Sequence, residues 1–175
     1  MEEIEIHWVN VLGRRHKIGR IGYGKSELFV YLILQQLSNC SDRDLEAISG
    51  IEHSTFAKAR KRFFEEGIYE KFLVHLVHLA IKEGIIKAQK IPMDSSFVQT
   101  YSKKKEEGSE FWKKYEKKKS YGFKLHALID ETTSLPIALI VTHGKANDMP
   151  IAIPLLEKFR TYKVATNYVL ADKRL

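Results

Sequence analysis

Asp94 and Asp172 are the residues of this chain whose types and placement could carry chemistry. Each follows an apolar, strand-like run: Ile85 to Met93 ahead of Asp94, and Tyr168-Val-Leu-Ala171 ahead of Asp172. Carboxylates at the ends of neighbouring strands sit on a rigid sheet and can point into one space. Two that converge can hold a pair of divalent ions about 4 Å apart, the arrangement used for phosphodiester chemistry. Mg²⁺ suits such a site because it prefers hard oxygen ligands and keeps exchangeable waters. Taken singly, an Asp after a strand is most often an Asx turn or a helix cap. The case therefore rests on the elements between the two.

Gly122-Phe-Lys-Leu-His-Ala-Leu-Ile129 alternates like a strand, Asp130 to Pro136 reads as a turn, and Ile137-Ala-Leu-Ile-Val141 reads as a second strand. The two form a hairpin. Asn147 or Asp148 can cap a helix that tolerates Pro150 in its first turn and carries Ile151, Leu155, Leu156 and Phe159. A strand, a hairpin, then a helix crossing to a strand beside the first is the opening of a ribonuclease H-like sheet. In that layout Asp94 and Asp172 are neighbours. A Lys-rich insert at 102–120 interrupts the core, and its residues 103–119 hold eight Lys and four Glu around Phe111, Trp112 and Tyr115. Lys103, Lys104 and Lys105 beside aromatics suit phosphate contacts and base stacking. The same composition also suits a solvated segment with i,i+4 pairs.

Before residue 85 the pattern is helical. Ile4, Ile6 and Trp8 could alternate as a strand, but Ser26 to Leu37 is a mostly buried helix with Ser26 a candidate cap. Ser41 can cap a short helix holding Leu45 and Ile48 on one face, and Gly50 fits the left-handed position that ends it. Ser54 can cap a second helix with Phe56, Ala59 and Phe63 inward. Two such helices around a tight Gly turn read as a helix-turn-helix at about 41–66. Its second helix bears four cations and no acid through Phe64. Ser54, Thr55 and Lys58 would lie near base edges, with Arg60, Lys61 and Arg62 on phosphates; a helical hairpin with a solvated cationic face is the plainer alternative. A further helix, Ile68 to Lys82, ends at Gly84. The fold class is α+β: a helical region over 1–84, then a partial ribonuclease H-like α/β core over 85–175.

The formal net charge of +7 favours polyanionic partners, double-stranded DNA above all. No apolar run reaches the roughly 20 residues that span a bilayer, so no membrane partner is expected. The acidic start, Met1-Glu2-Glu3, argues against a secretory signal. The single cysteine, Cys40, allows neither an internal disulfide nor a Cys-rich zinc site, and a reducing cytoplasm is the default. Gly19-Arg-Ile-Gly-Tyr-Gly24-Lys25-Ser26 formally fits a P-loop, but no strand ends beside its first Gly. His75 and His78 sit i,i+3 with no third metal ligand at a telling spacing.

Several stretches taken in order resemble the Asp-Asp-Glu transposases of insertion sequences. They are Cys40-Ser-Asp-Arg-Asp-Leu45, Gly50-Ile51 with Ser54-Thr55-Phe56, Arg60-Lys-Arg-Phe63, Asp94-Ser-Ser96, Gly122-Phe-Lys-Leu-His126, Leu135-Pro136, Asn147-Asp148 and Val169-Leu-Ala-Asp172-Lys173. The resemblance implies a DNA-binding helical region ahead of a ribonuclease H-like core. It also implies nicking of element ends with Mg²⁺ or Mn²⁺, then strand transfer by the freed 3′-hydroxyl. Asp94 and Asp172 match the first two catalytic, metal-holding carboxylates.

Such proteins usually continue Asp-Lys-Gly-Tyr, whereas this sequence reads Asp172-Lys173-Arg174-Leu175 and holds no counterpart of the third carboxylate. The expectation is a transposase truncated after its second Asp and inactive alone. Its exposed last strand would invite self-association or completion by a separately encoded remainder. The alternative is a non-catalytic helix-turn-helix DNA-binding protein, a regulator or a competitor of transposition. The 175-residue chain is accordingly expected to give no Mg²⁺-dependent relaxation of supercoiled plasmid. Robust nicking by contaminant-free protein would overturn that expectation.

Overall fold

The computed structural model describes residues 22–100, 109–113 and 119–171. Ile4, Ile6, Trp8, Lys103, Lys104, Lys105 and Asp172 lie outside the described residues. The chain divides into two units between Phe72 and Leu73.

The first unit is built from capped helices. Helix α1 (Lys25–Ser38) is preceded by Gly24 as its cap, whose N–H donates to Glu27 Oε2 at 3.3 Å; Ser26, the expected cap, lies inside the helix. Helix α2 (Asp42–Ser49) starts on Ser41, as expected. The Asp44 N–H donates to Ser41 Oγ (3.2 Å) and the Ser41 N–H to Asp44 Oδ2 (2.8 Å), the reciprocal pairing that satisfies two exposed donors. Gly50, at φ 70°, ends α2. Helix α3 (His53–Glu65) begins one residue before the expected cap, Ser54. A neighbouring carboxylate explains this: Glu46 Oε2 on α2 accepts from the His53 N–H at 3.2 Å and lies 2.7 Å from His53 Nδ1. Negative charge there also suits the positive end of α3, and the contact with His53 holds the Glu46 carboxyl below its usual range.

Phe56, Ala59 and Phe63 of α3 are buried, as expected, with Leu28, Phe29 and Leu32 of α1 and Leu45 of α2. Phe29 meets Phe63 and Phe72 edge-on, with centroids 5.7 and 5.1 Å away. Ile48 does not share the buried face with Leu45: it is 73% exposed. In a helix this short, only one turn reaches the core. Helix α4 (Ile68–Lys82) gives Ile68 to this core, whereas its Val77 is buried in the core of the second unit. Gly84, at φ 70°, follows its end, as expected. None of the described helices is long and apolar enough to cross a membrane.

The second unit is a five-stranded sheet with one long helix on it. Strands β1 (Lys90–Gln99), β2 (Glu110–Lys113), β3 (Lys119–Ile129), β4 (Pro136–His143) and β5 (Tyr168–Leu170) are joined with helix α5 (Met149–Thr161) between β4 and β5. Gly122 pairs with Gln99 on one edge of β3 and with Glu110 on the other, so β1 flanks one edge while β2 and β4 share the other in turn. A Cβ on Gly122 would meet the Val98 carbonyl oxygen at 2.2 Å; only glycine lets the strands approach here. Strand β1 pairs antiparallel with β3 over Met93–Gln99 and parallel with β5 over Lys90–Pro92. The adjacency of the first and last strands is the expected one.

Two boundaries differ from expectation. The first strand begins at Lys90, not Ile85, and Asp94 lies within it instead of after it. Residues 85–89 form no strand: Ala88 has φ 51° and its N–H donates to the buried Asp130 carboxylate at 3.0 Å. Pro92 does not break β1 because it stands at the hand-over, where pairing with β5 ends and pairing with β3 begins at Met93. The Lys-rich insert also holds a strand, β2, where Phe111 and Trp112 supply the β-preferring side chains.

Leu155 and Phe159 of α5 pack with Ile91, Leu128, Ile137 and Ala138 of the sheet. Each such side chain contributes about 1.5–3 kcal/mol on burial. Asp130 closes the β3–β4 hairpin and is 1% exposed. Besides Ala88, it accepts from the Thr133 N–H (3.0 Å) and hydroxyl (2.9 Å). Burial raises its pKa, but the bonds from Thr133, Ala88 and Thr132 outweigh that and leave it below the usual range. A carboxyl depressed on folding contributes stability above its unfolded pKa of about 3.9 and loses it as pH falls through the folded value. Asp130→Asn is therefore expected to lower the melting temperature at pH 7, with the deficit shrinking below pH 4, as read by circular dichroism.

Candidate active site

Side chains alternate across a strand, so β1 presents two different surfaces. Asp94, Ser96 and Val98 are exposed on one. Asp94 lies opposite Ala127 of β3, and its Oδ1 accepts from the Ser95 N–H at 2.7 Å. Beside it, β1 and β5 run parallel in the register Lys90–Tyr168, Ile91–Val169 and Pro92–Leu170.

The other surface faces α5 and carries Met93 and Ser95 of β1 against Leu128 and His126 of β3. Towards the start of α5 this apolar layer becomes polar. Asp148, the residue before α5, bonds the Ser95 hydroxyl. Lys124 Nζ lies 2.9 and 3.0 Å from the two Asp148 oxygens and donates to the Ala146 carbonyl at 3.1 Å. His126 is 2% exposed, with Nδ1 2.9 Å from Asp148 Oδ1 and Nε2 2.8 Å from Thr142 Oγ1. Asp148 is held below the usual carboxylate range despite its burial, by bonds from Lys124 and Ser95 and the charges of Lys124 and His126. His126 is pushed below the usual imidazole range by burial above all and by Lys124, against the pull of Asp148.

Among the described residues, no cluster of three or more His, Cys, Asp or Glu side chains could hold a metal ion. Of the two expected carboxylates, Asp94 is described and Asp172 is not. On α3, Ser54 and Thr55 are half-buried in the first turn, while Lys58, Lys61 and Arg62 are exposed. Lys61 lies 3.9 Å from Glu65, and Arg62 stacks 5.5 Å from the Phe63 centroid. Arg60 instead turns inward to pair with Asp42 and to reach Gln35 at 3.4 Å.

Residues 86–174, just over half of the chain, match the family described as the transposase DDE domain. The chain belongs to that family. No curated protein and no solved structure matches it. The matched span of the transposase domain holds Asp94 and Asp172 as well as Ser95, Lys124, His126 and Asp148. The last four make a polar site; in the sequence Asp148 reads as a possible cap of α5, and Ser95, Lys124 and His126 stand only within stretches that carry the resemblance. A signal was available, since Lys124 and His126 stand two apart on a strand whose next same-face residue, Leu128, is fully buried. Polar residues on the inward face of a strand need partners.

A histidine with a depressed folded pKa binds more protons when unfolded, so its contribution is full above the unfolded pKa of about 6.5 and falls as pH drops towards the folded value. Thermal melts are expected to show a loss of stability between pH 7 and 5 that flattens in His126→Gln. An equal slope in both proteins would show that His126 is not the group responsible.

Proposed function

We propose that the chain is a DNA-acting transposase protein with two parts. Its helical region, residues 1–84, grips duplex DNA through a helix-turn-helix formed by α2 and α3. Its domain over 85–175, a partial ribonuclease H-like core, contributes Asp94 and Asp172 as the first two carboxylates of a phosphodiester site. The observation that carries the reading is the parallel pairing of β1 with β5. Its partners differ by 78 positions at each of three pairs, and 78 is also the separation of Asp94 and Asp172 in the sequence.

Asp94 fits such a role: it is an exposed oxygen donor on a strand paired on both sides, with its rotamer held by the Ser95 N–H. With Asp172 it would hold Mg²⁺ or Mn²⁺, which supplies charge neutralisation at the attacking and leaving oxygens. On α3, exposed Lys58, Lys61 and Arg62 are suited to phosphate, and Ser54 and Thr55 in the first turn to base edges. Arg60, paired with Asp42, serves the packing of α2 on α3 instead. A non-catalytic DNA-binding protein is the second reading, favoured by the same exposed cations.

Two measurements test the proposal. Replacing Lys58, Lys61 and Arg62 together by Ala is expected to weaken duplex binding and reduce its salt slope by about 2–3. Unchanged affinity and slope would remove DNA binding from α3. Mn²⁺ titration followed by the electron-paramagnetic signal of the free ion is expected to show binding that Asp94→Asn and Asp172→Asn each abolish. DNA binding with no carboxylate-dependent Mn²⁺ uptake would select the second reading.

A further inference from the structure

Ser95 is bonded on both surfaces of β1. Its backbone N–H holds Asp94 Oδ1 at 2.7 Å on the open side, and its hydroxyl is held by Asp148 on the side under α5. Asp148 in turn is fixed by Lys124, which straddles both its oxygens, and by His126, which is itself locked by Thr142. We infer that Asp148 is a positioning residue for Asp94: the Lys124–His126–Asp148 cluster sets the pitch of the strand at Ser95, and through the Ser95 N–H it sets the rotamer of the Asp94 carboxylate.

The geometry makes the coupling specific. The Ser95 N–H lies in one planar peptide unit with the Asp94 carbonyl, so the direction of that N–H follows the backbone at Asp94 and Ser95. Ser95 pairs with His126 and Asp94 with Ala127, so the ladder anchors both residues to the same stretch of β3. The ladder fixes the register of β1 on β3 but not the tilt of each pleat. The hydroxyl tie to Asp148 removes that freedom on one side, and its effect is delivered on the other side where Asp94 stands. Partners that orient a metal-binding carboxylate from behind typically change metal affinity about 10–100-fold when removed.

The metal arm of the test rests on the proposed role of Asp94; the rotamer arm does not. Both use the full chain, with Asp148→Asn, Ser95→Ala and Ser95→Thr, and with Asp94→Asn as the reference. In the rotamer arm, nuclear magnetic resonance reads the Ser95 amide proton shift and the Cα–Cβ proton couplings of Asp94 without any metal. Wild type and Ser95→Thr are expected to share a downfield Ser95-position amide and one dominant Asp94 rotamer. Asp148→Asn and Ser95→Ala are expected to move that amide upfield and average the couplings, while far-ultraviolet circular dichroism stays unchanged. Identical shifts and couplings in wild type and both variants would overturn the inference. If Asp148→Asn fails to fold, Ser95→Ala against Ser95→Thr decides by the same readout. In the metal arm, Mn²⁺ affinity is expected to fall about 10-fold in Ser95→Ala and to recover in Ser95→Thr. Absence of Mn²⁺ binding in wild type would defeat the metal reading of Asp94 and leave the rotamer arm to judge the positioning role.

Discussion

Segments far apart in sequence meet on the Asp148 carboxylate: Ser95 from β1, and Lys124 and His126 from β3. Asp148 keeps 35% of its side chain exposed while Lys124 keeps 13%, so the cost of taking these charges out of water is only partly incurred. Here Lys124 is also bonded to the Ala146 carbonyl and His126 to Thr142. The cluster thus ties β1, β3, β4 and the start of α5 at one point. At the other end of α5, Phe159 and Tyr162 are buried in the core, and the N–H groups of Asn167 and Tyr168 then reach the Gln89 carbonyl at 3.0 and 3.1 Å. A crossover fixed at both ends delivers β5 to the free edge of β1. Without that docking, three ladder positions would hold β5 alone, too few for a strand whose residues are all exposed.

The division of labour across the sheet follows from the period of two. Every second residue of β1 belongs to the packed side, and the rest belong to the open side. Rigidity is therefore generated on one surface and used on the other. Asp94 can stay solvent-accessible while its neighbour Ser95 is built into the interior. An exposed carboxylate on an exposed loop would have no such support.

Much of this was legible in the sequence, and the failures have physical causes. The hairpin, the crossover helix and the last strand were readable because alternation, turn residues and helical spacing agreed. The start of β1 was not, because Ile85 to Gln89 forms no strand: only Ile86 and Ala88 are buried, and the Ala88 N–H is satisfied by Asp130, 42 residues away. Strand β2 was hidden by the lysines around it. Ser54 lost the capping role to Glu46 of the preceding helix, and Arg60 gains a partner in Asp42. Each of these depends on a partner that local pattern cannot supply.

The candidate site has the same boundary. Asp94 stood out only together with Asp172, because the elements between them place the two strands side by side, and the family match extends over both. That Lys124, His126 and Asp148 meet was not legible, although each lies in a stretch that carries the resemblance. Only the pairing of β1 with β3 brings Ser95 opposite His126, and only the start of α5 brings Asp148 onto both. A residue that touches substrate can be guessed from its chemistry. One that acts through a neighbour is visible only once the fold has named that neighbour, and in this sheet the neighbour is Ser95.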